Sequence, residues 1–162
     1  MSEHIVRSFQ EQLEALSTGI VQMGGLCEAQ LANAIDAVVK RDMPRAEQTI
    51  ASDVKIDALE TEIEQQVIRL LAMRQPLALD LRETLAALKI SHDLERIGDL
   101  AKNVAKRTLV IARDAPDQSL TQGLARMGRQ ALTQVKAVLD AYSRRDMDAA
   151  LAVWKHDDDI DE

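Results

Sequence analysis

The sequence predicts an all-α fold of long antiparallel helices built on a duplicated unit. Three observations carry that expectation. Apolar residues make up 46% of the 162-residue chain but aromatics only 2%, so the core must be Leu, Ile, Val, Ala and Met. Gly and Pro are scarce, at 6 and 3, which leaves few places for a helix to break. Apolar positions recur at three- and four-residue steps over stretches far longer than a strand.

Residues 3 to about 40 form the first helix, on the spacing of Phe9, Leu13, Leu16, Ile20, Met23, Leu31, Ile35 and Val38. Gly24-Gly25 is a place where it can bend. Arg41-Asp42-Met43-Pro44 is a stop and restart: Asp42 can cap the next helix, and Pro44 is tolerated in its first turn. The second helix runs from 43 to about 73 and buries Ile56, Leu59, Ile63, Val67 and Leu70. Arg74-Gln75-Pro76 turns the chain, because the residue before a proline disfavours helix. A third helix runs from about Leu77 to Ala112 and ends before Asp114-Ala115-Pro116-Asp117. A fourth spans about Gln118 to Arg144, and after Arg145-Asp146-Met147 a fifth segment runs to Glu162.

The chain matches itself at an offset of 104 residues (145 − 41 = 104). Arg41-Asp42-Met43 falls on Arg145-Asp146-Met147, Met23-Gly24 on Met127-Gly128, Asp36-Ala37 on Asp140-Ala141, Asp53 on Asp157, and Ile56-Asp57 on Ile160-Asp161. The duplicated unit is a long helix, an RDM turn and an acidic helix. The first copy occupies residues 1–113. The second, over 118–162, stops before its own third helix, so its helices are expected to leave apolar faces open and to pair in a homodimer.

Composition excludes several roles. The net charge is −7 and no basic face stands out, so nucleic acid is not an expected partner. No stretch approaches the ~20 apolar residues of a membrane span, and no charged leader with an apolar core opens the chain. Cys27 is the only cysteine, so no intramolecular disulfide forms. These features predict a cytoplasmic protein without direct membrane insertion.

The third helix holds the residues with chemistry. Ile90, Leu94, Ile97, Ala101 and Val104 form an apolar stripe. A second stripe begins with Leu81, Leu85 and Leu88 and turns polar at His92, Glu95, Asp99, Asn103 and Lys106. On the second helix Asp53, Asp57, Glu60 and Glu64 share a face, and the hairpin brings Asp53 and Asp57 level with the His92–Asp99 stripe, His92 opposite Asp57. If the two faces meet, four carboxylates converge and require a cation. Oxygen donors of this kind suit magnesium, manganese, iron or zinc. If they do not meet, they are two solvated acidic faces. A carboxylate-bridged metalloenzyme is the alternative with chemistry; a plain structural bundle is the one without. The di-iron type needs Glu-x-x-His motifs, and none of His4, His92 and His156 has a Glu three residues earlier.

The run Leu94-Glu95-Arg96-Ile97-Gly98-Asp99-Leu100-Ala101-Lys102-Asn103-Val104-Ala105 resembles the signature of the PhoU family, and Asp53-x-x-Ile56-Asp57-x-Leu59-Glu60 resembles that family's second-helix pattern. The resemblance implies tandem three-helix bundles with metal clusters held at the bundle surface. By that resemblance Glu95 and Asp99 are metal ligands, with Asp53 and Asp57 on the neighbouring helix. It also implies a negative regulator of phosphate uptake and of the phosphate-starvation response. Such a regulator is an adaptor between the ATPase subunit of the phosphate ABC transporter and a membrane sensor histidine kinase, not an enzyme.

Overall fold

A computed structural model describes residues 2–74, 78–111 and 118–155. These form six helices and no strand: α1 Ser2–Lys40, α2 Met43–Ser52, α3 Val54–Arg74, α4 Ala78–Ile111, α5 Gln118–Arg144 and α6 Met147–Lys155. None is long and apolar enough to cross a membrane. Most of the expected turns at 74–76 and 114–117 lies outside the described residues, as do Asp157, Ile160 and Asp161 of the repeat.

The helices pack along seams with a seven-residue period. On α1 the seam is Leu13, Leu16, Ile20, Met23, Cys27, Gln30, Ala34 and Ala37, all buried. On α4 it is Thr84, Ala87, Ser91, Leu94, Gly98, Ala101, Ala105 and Thr108. Alternating steps of three and four hold such a seam against a partner along its full length and give a gentle left-handed wrap. The α4 stripe therefore differs from the expected one. Leu94 and Ala101 are buried, but Leu81 and Leu85, expected to continue a core face, are 36% and 41% exposed. Small and hydroxyl residues take the seam because α4 lies close against α1. Thr84, Ser91 and Thr108 are buried without loss because each hydroxyl donates within its own helix, to Asp80 O at 2.7 Å, Leu88 O at 2.8 Å and Val104 O at 2.9 Å.

α1 and α4 run parallel, with α3 antiparallel to both; Ile56, Ile63, Val67 and Leu70 of α3 complete the core with Leu16, Ile20, Met23 and Leu94. Burial of each such side chain contributes roughly 1.5–3 kcal/mol. α1 passes through Gly24-Gly25 without a break.

The internal repeat has a structural counterpart. Both RDM turns place an arginine in the left-handed region, Arg41 at φ 53° and Arg145 at φ 54°. In both, the following aspartate amide reaches back to close the helix, Asp42 N to Ala37 O and Asp146 N to Ala141 O, each at 2.9 Å. Both aspartates then cap the next helix: Asp42 accepts from Arg45 N at 3.0 Å and Asp146 from Ala149 N at 2.9 Å. α1 and α5 cross as antiparallel equivalents. Leu139 packs over Gly24, and Ile35, its counterpart in the first copy, packs over Gly128, the counterpart of Gly24. Leu124, Met127 and Val138 of α5 and Leu151 and Trp154 of α6 are exposed.

Candidate functional site

The helix expected over 43–73 tightens by a turn at Asp53, where the backbone stays helical at φ −56° and ψ −37°. No Gly or Pro marks it. Ser52 donates to Thr49 O at 2.8 Å, and the Asp53 carbonyl is shared by Ile56 N at 2.8 Å and Asp57 N at 3.2 Å. Ile56 lies in the core, and the Asp53 side chain points inward and is 4% exposed.

A buried carboxylate needs donors, and Asp53 finds them on two other helices. Gln30 of α1 donates its amide to Asp53 Oδ1 at 2.8 Å and to Gly98 O at 3.0 Å, while its own oxygen accepts from Ser52 Oγ at 3.1 Å. Lys102 of α4 donates to Asp53 Oδ2 and, at 2.5 Å, pairs with Asp99 Oδ1. Gly98 permits the close approach: a Cβ there would lie 2.9 Å from Ile56 Cδ1 and 3.7 Å from Asp53 Oδ1. On the outer side His92 Nδ1 meets Glu60 Oε1 at 2.5 Å. That pairing places His92 three residues further along α3 than the expected Asp57.

Each of the four acidic residues singled out in the sequence reaches this junction, in different states. Asp53 is buried and paired. Asp99 is half-exposed, and the Lys102 hydrogen bond holds its carboxyl below the usual range. Glu95 is raised, by desolvation first and then by repulsion from Asp99, Glu60, Asp57 and Asp53. Asp57 is raised by desolvation and by Asp53, whose repulsion outweighs the pull of Lys102. Lys102 itself is raised by its bonds to Asp53 and Asp99. Lys102 thus links Asp53 at the α2–α3 junction to Asp99 of α4. Carboxylate oxygens are donors of the kind a hard cation takes. Among the described residues, however, no three His, Cys, Asp or Glu side chains are gathered closely enough to enclose an ion in this arrangement, and Lys102 supplies the positive charge.

Gln30, Ser52 and Lys102 were not legible as site residues from local pattern. A signal exists for two of them: Gln30 recurs as Gln134 at the repeat offset, and Lys102 lies seven residues after Glu95 on the same helix face. Asn103 and Arg96 face solvent.

Cys27 sits behind the cluster, fully buried, its thiol donating to Leu94 O at 3.1 Å. Burial, reinforced by the Asp53 and Glu95 charges, pushes its pKa to about 12. Because the thiolate is the reactive species, iodoacetamide at pH 8 should label Cys27 only as fast as the protein opens. Rapid labelling of the folded chain would contradict this burial.

Comparison with known proteins agrees with the geometry. The chain matches the PhoU domain model over residues 20–108 and 124–162. It is 45% identical to the phosphate-specific transport system accessory protein PhoU homolog of Caulobacter vibrioides (strain NA1000 / CB15N), over all of this chain and 70% of that protein. It is 34% identical to the phosphate-specific transport system accessory protein PhoU of Escherichia coli (strain K12), over all of this chain and 67% of that one. The crystal structure of PhoU from Pseudomonas aeruginosa superposes with a TM-score of 0.91 at 35% identity, covering 94% of this chain and 73% of that one. With its helical bundle, its RDM-turn repeat and its LERIGD signature accounted for, the chain belongs to the PhoU family.

Proposed function

We propose that this protein is a cytoplasmic negative regulator of phosphate uptake and of the phosphate-starvation response. It works as an adaptor between the ATPase subunit of the phosphate ABC transporter and the sensor histidine kinase, and it catalyses no reaction. The observation that carries this reading is the match, along the whole chain, to relatives named as accessory proteins of the phosphate-specific transport system. The surface supports it. Leu100, Val110, Met147 and Trp154 are each more than 60% exposed on the outer faces of α4 and α6, as docking faces would be. A homodimer is included in this reading.

Metal belongs to the same proposal. Magnesium, manganese, iron or zinc would be held by Glu95 and Asp99 of α4 with Asp53 and Asp57 at the α2–α3 junction, where its charge relieves the repulsion that raises Glu95 and Asp57. Bound there, it would fix α3 against α4 and set the shape of the adaptor face.

The test is alkaline phosphatase output in phosphate-rich medium, in cells lacking the gene. Deletion is expected to switch the enzyme on, and the wild-type gene to silence it. Glu95→Ala/Asp99→Ala should lose bound metal while keeping its helicity, because neither side chain lies in the apolar core, and should leave phosphatase on. Unchanged output on deletion would remove the regulator reading; unchanged metal content in the double variant would remove the site.

A further inference from the structure

We infer that the outer face of α4 is a docking groove for an acidic amphipathic helix of a partner protein, with Arg96 and Arg107 as its anchors. The inference rests on the adaptor reading proposed above and names the chemistry that one of the two partners presents. Arg82, Lys89, Arg96, Asn103 and Val110 follow one another at seven-residue steps. Leu100 and Arg107 fill the same line at steps of three and four. That is the spacing of a second helical seam. Every one of these residues is exposed, whereas the seam that meets α1 is buried, so the line runs along another side of the helix.

The line is basic in an acidic protein. The chain has a net charge of −7, yet four cations stand here against the one carboxylate of Asp93. Among the described residues none of the four forms an ion pair, while Lys40, Arg45, Lys102 and Arg145 each do. Lys106 adds a further cation alongside. Unpaired cations gathered on one face complement a partner's carboxylates.

Towards its C-terminal end the line is also apolar: Leu100 and Val110 are 64% and 70% exposed. With Asn103, Val104, Lys106 and Arg107 they line a groove of about 550 Å³. These lining residues all belong to α4, so whatever fills the groove lies along that helix. A helix does so by setting its own ridge of side chains into the groove; a flat lipid surface would leave it unfilled. From Leu100 to Val110 is ~15 Å, about three turns. Arg96 lies one turn before Leu100, and Arg107 one turn before Val110. Each guanidinium can take a carboxylate through two parallel hydrogen bonds. The Asn103 side chain has no hydrogen-bond partner among the described residues, and a polar group within an apolar line fixes the register of the helix that docks there. The occupant is thus a helix with apolar residues at three- and four-residue steps and Asp or Glu along its flank.

The test measures binding of this chain to the purified ATPase subunit of the transporter and to the purified cytoplasmic part of the sensor kinase, at low and at high salt. Wild type should bind at least one of them, more weakly as salt rises. Arg96→Glu/Arg107→Glu should weaken that binding about tenfold or more and invert its salt dependence. Leu100→Ser/Val110→Ser should weaken it with the salt dependence kept. Lys55→Glu/Arg69→Glu makes the same charge change on α3 and should bind as wild type does. All these side chains are exposed, so the variants keep their helicity, which circular dichroism checks. Carbodiimide, which joins an ammonium to a carboxylate in contact with it, should couple Lys89 or Lys106 to an Asp or Glu in a helix of the bound partner. Wild-type affinity in both α4 variants, equal weakening in the α3 control, or coupling that never reaches a partner carboxylate would each overturn the groove and leave the adaptor reading standing. So would an Arg96→Glu/Arg107→Glu chain that binds its partners normally and loses only its attachment to phosphatidylglycerol vesicles, since the face would then be a lipid surface. A wild type that binds neither partner would overturn the adaptor reading, and the groove with it.

Discussion

Replacing Gln30 by Met should lower stability by about 3 kcal/mol although the two side chains are nearly the same size. The loss is electrostatic. Gln30 donates at once to the buried Asp53 carboxylate and to Gly98 O, and accepts from Ser52, so it joins α1, the α2–α3 junction and α4. Removing it takes a donor from a charge 4% exposed, and hydrogen bonds to charged groups contribute about 1.5–3 kcal/mol each. The shift should appear as a lower urea midpoint with an unchanged slope, since the surface exposed on unfolding is the same. Gln30→Glu should cost more near neutral pH, because it sets a second buried carboxylate beside Asp53. The sign of its pH dependence follows. The introduced carboxyl has its pKa raised in the folded state, so its penalty is full above that raised value. The penalty fades as pH falls through it, whereas the Met variant shows no such recovery. A midpoint for Gln30→Met equal to wild type would mean that the polar junction does not hold these helices together.

Two adjacent glycines should respond in opposite directions. A Cβ at Gly24 would lie 2.5 Å from Leu139 Cδ2, and one at Gly128 2.7 Å from Ile35 Cγ1, whereas one at Gly25 meets nothing within 4 Å. Gly25→Ala should therefore stabilise, by up to about 1 kcal/mol, through helix propensity alone. Gly24→Leu together with Gly128→Leu should destabilise by about 3 kcal/mol through overpacking. The two changes act on one interface, so their costs will not add fully. The damage should also be local. Amide exchange should accelerate along α5 and stay slow in the α3 and α4 seams, which do not depend on the α1–α5 crossing. Uniform acceleration would mean that α5 is integral to the first bundle.

Much of this architecture was legible before any coordinates. The burial of Ile56, Ile63, Val67 and Leu70, the stop at Arg41-Asp42-Met43-Pro44 with its Asp42 cap, and the likeness of the two RDM turns all follow from spacing and local backbone chemistry, and all are found. Those features depend on residues within a turn or two of one another. The α4 seam is less legible, because Thr84, Ser91, Gly98 and Thr108 are not apolar. They are buried because α1 comes close, which only the partner helix dictates. The tightened turn at Asp53 has no local signal, and the pairing of His92 with Glu60 lies three residues from the expected one.

Residue spacing alone makes the chain helical, sets where most of its helices start and stop, matches its two RDM turns, and puts acidic residues of two helices near one level. Only the tertiary structure decided which of those carboxylates is buried, that Gln30 reaches it from a third helix, and that the Lys102 ammonium already stands between Asp53 and Asp99. The physical reason is that helix formation is governed by hydrogen bonds four residues apart, whereas the charge balance of a buried aspartate is settled by groups 23 and 49 residues away along the chain.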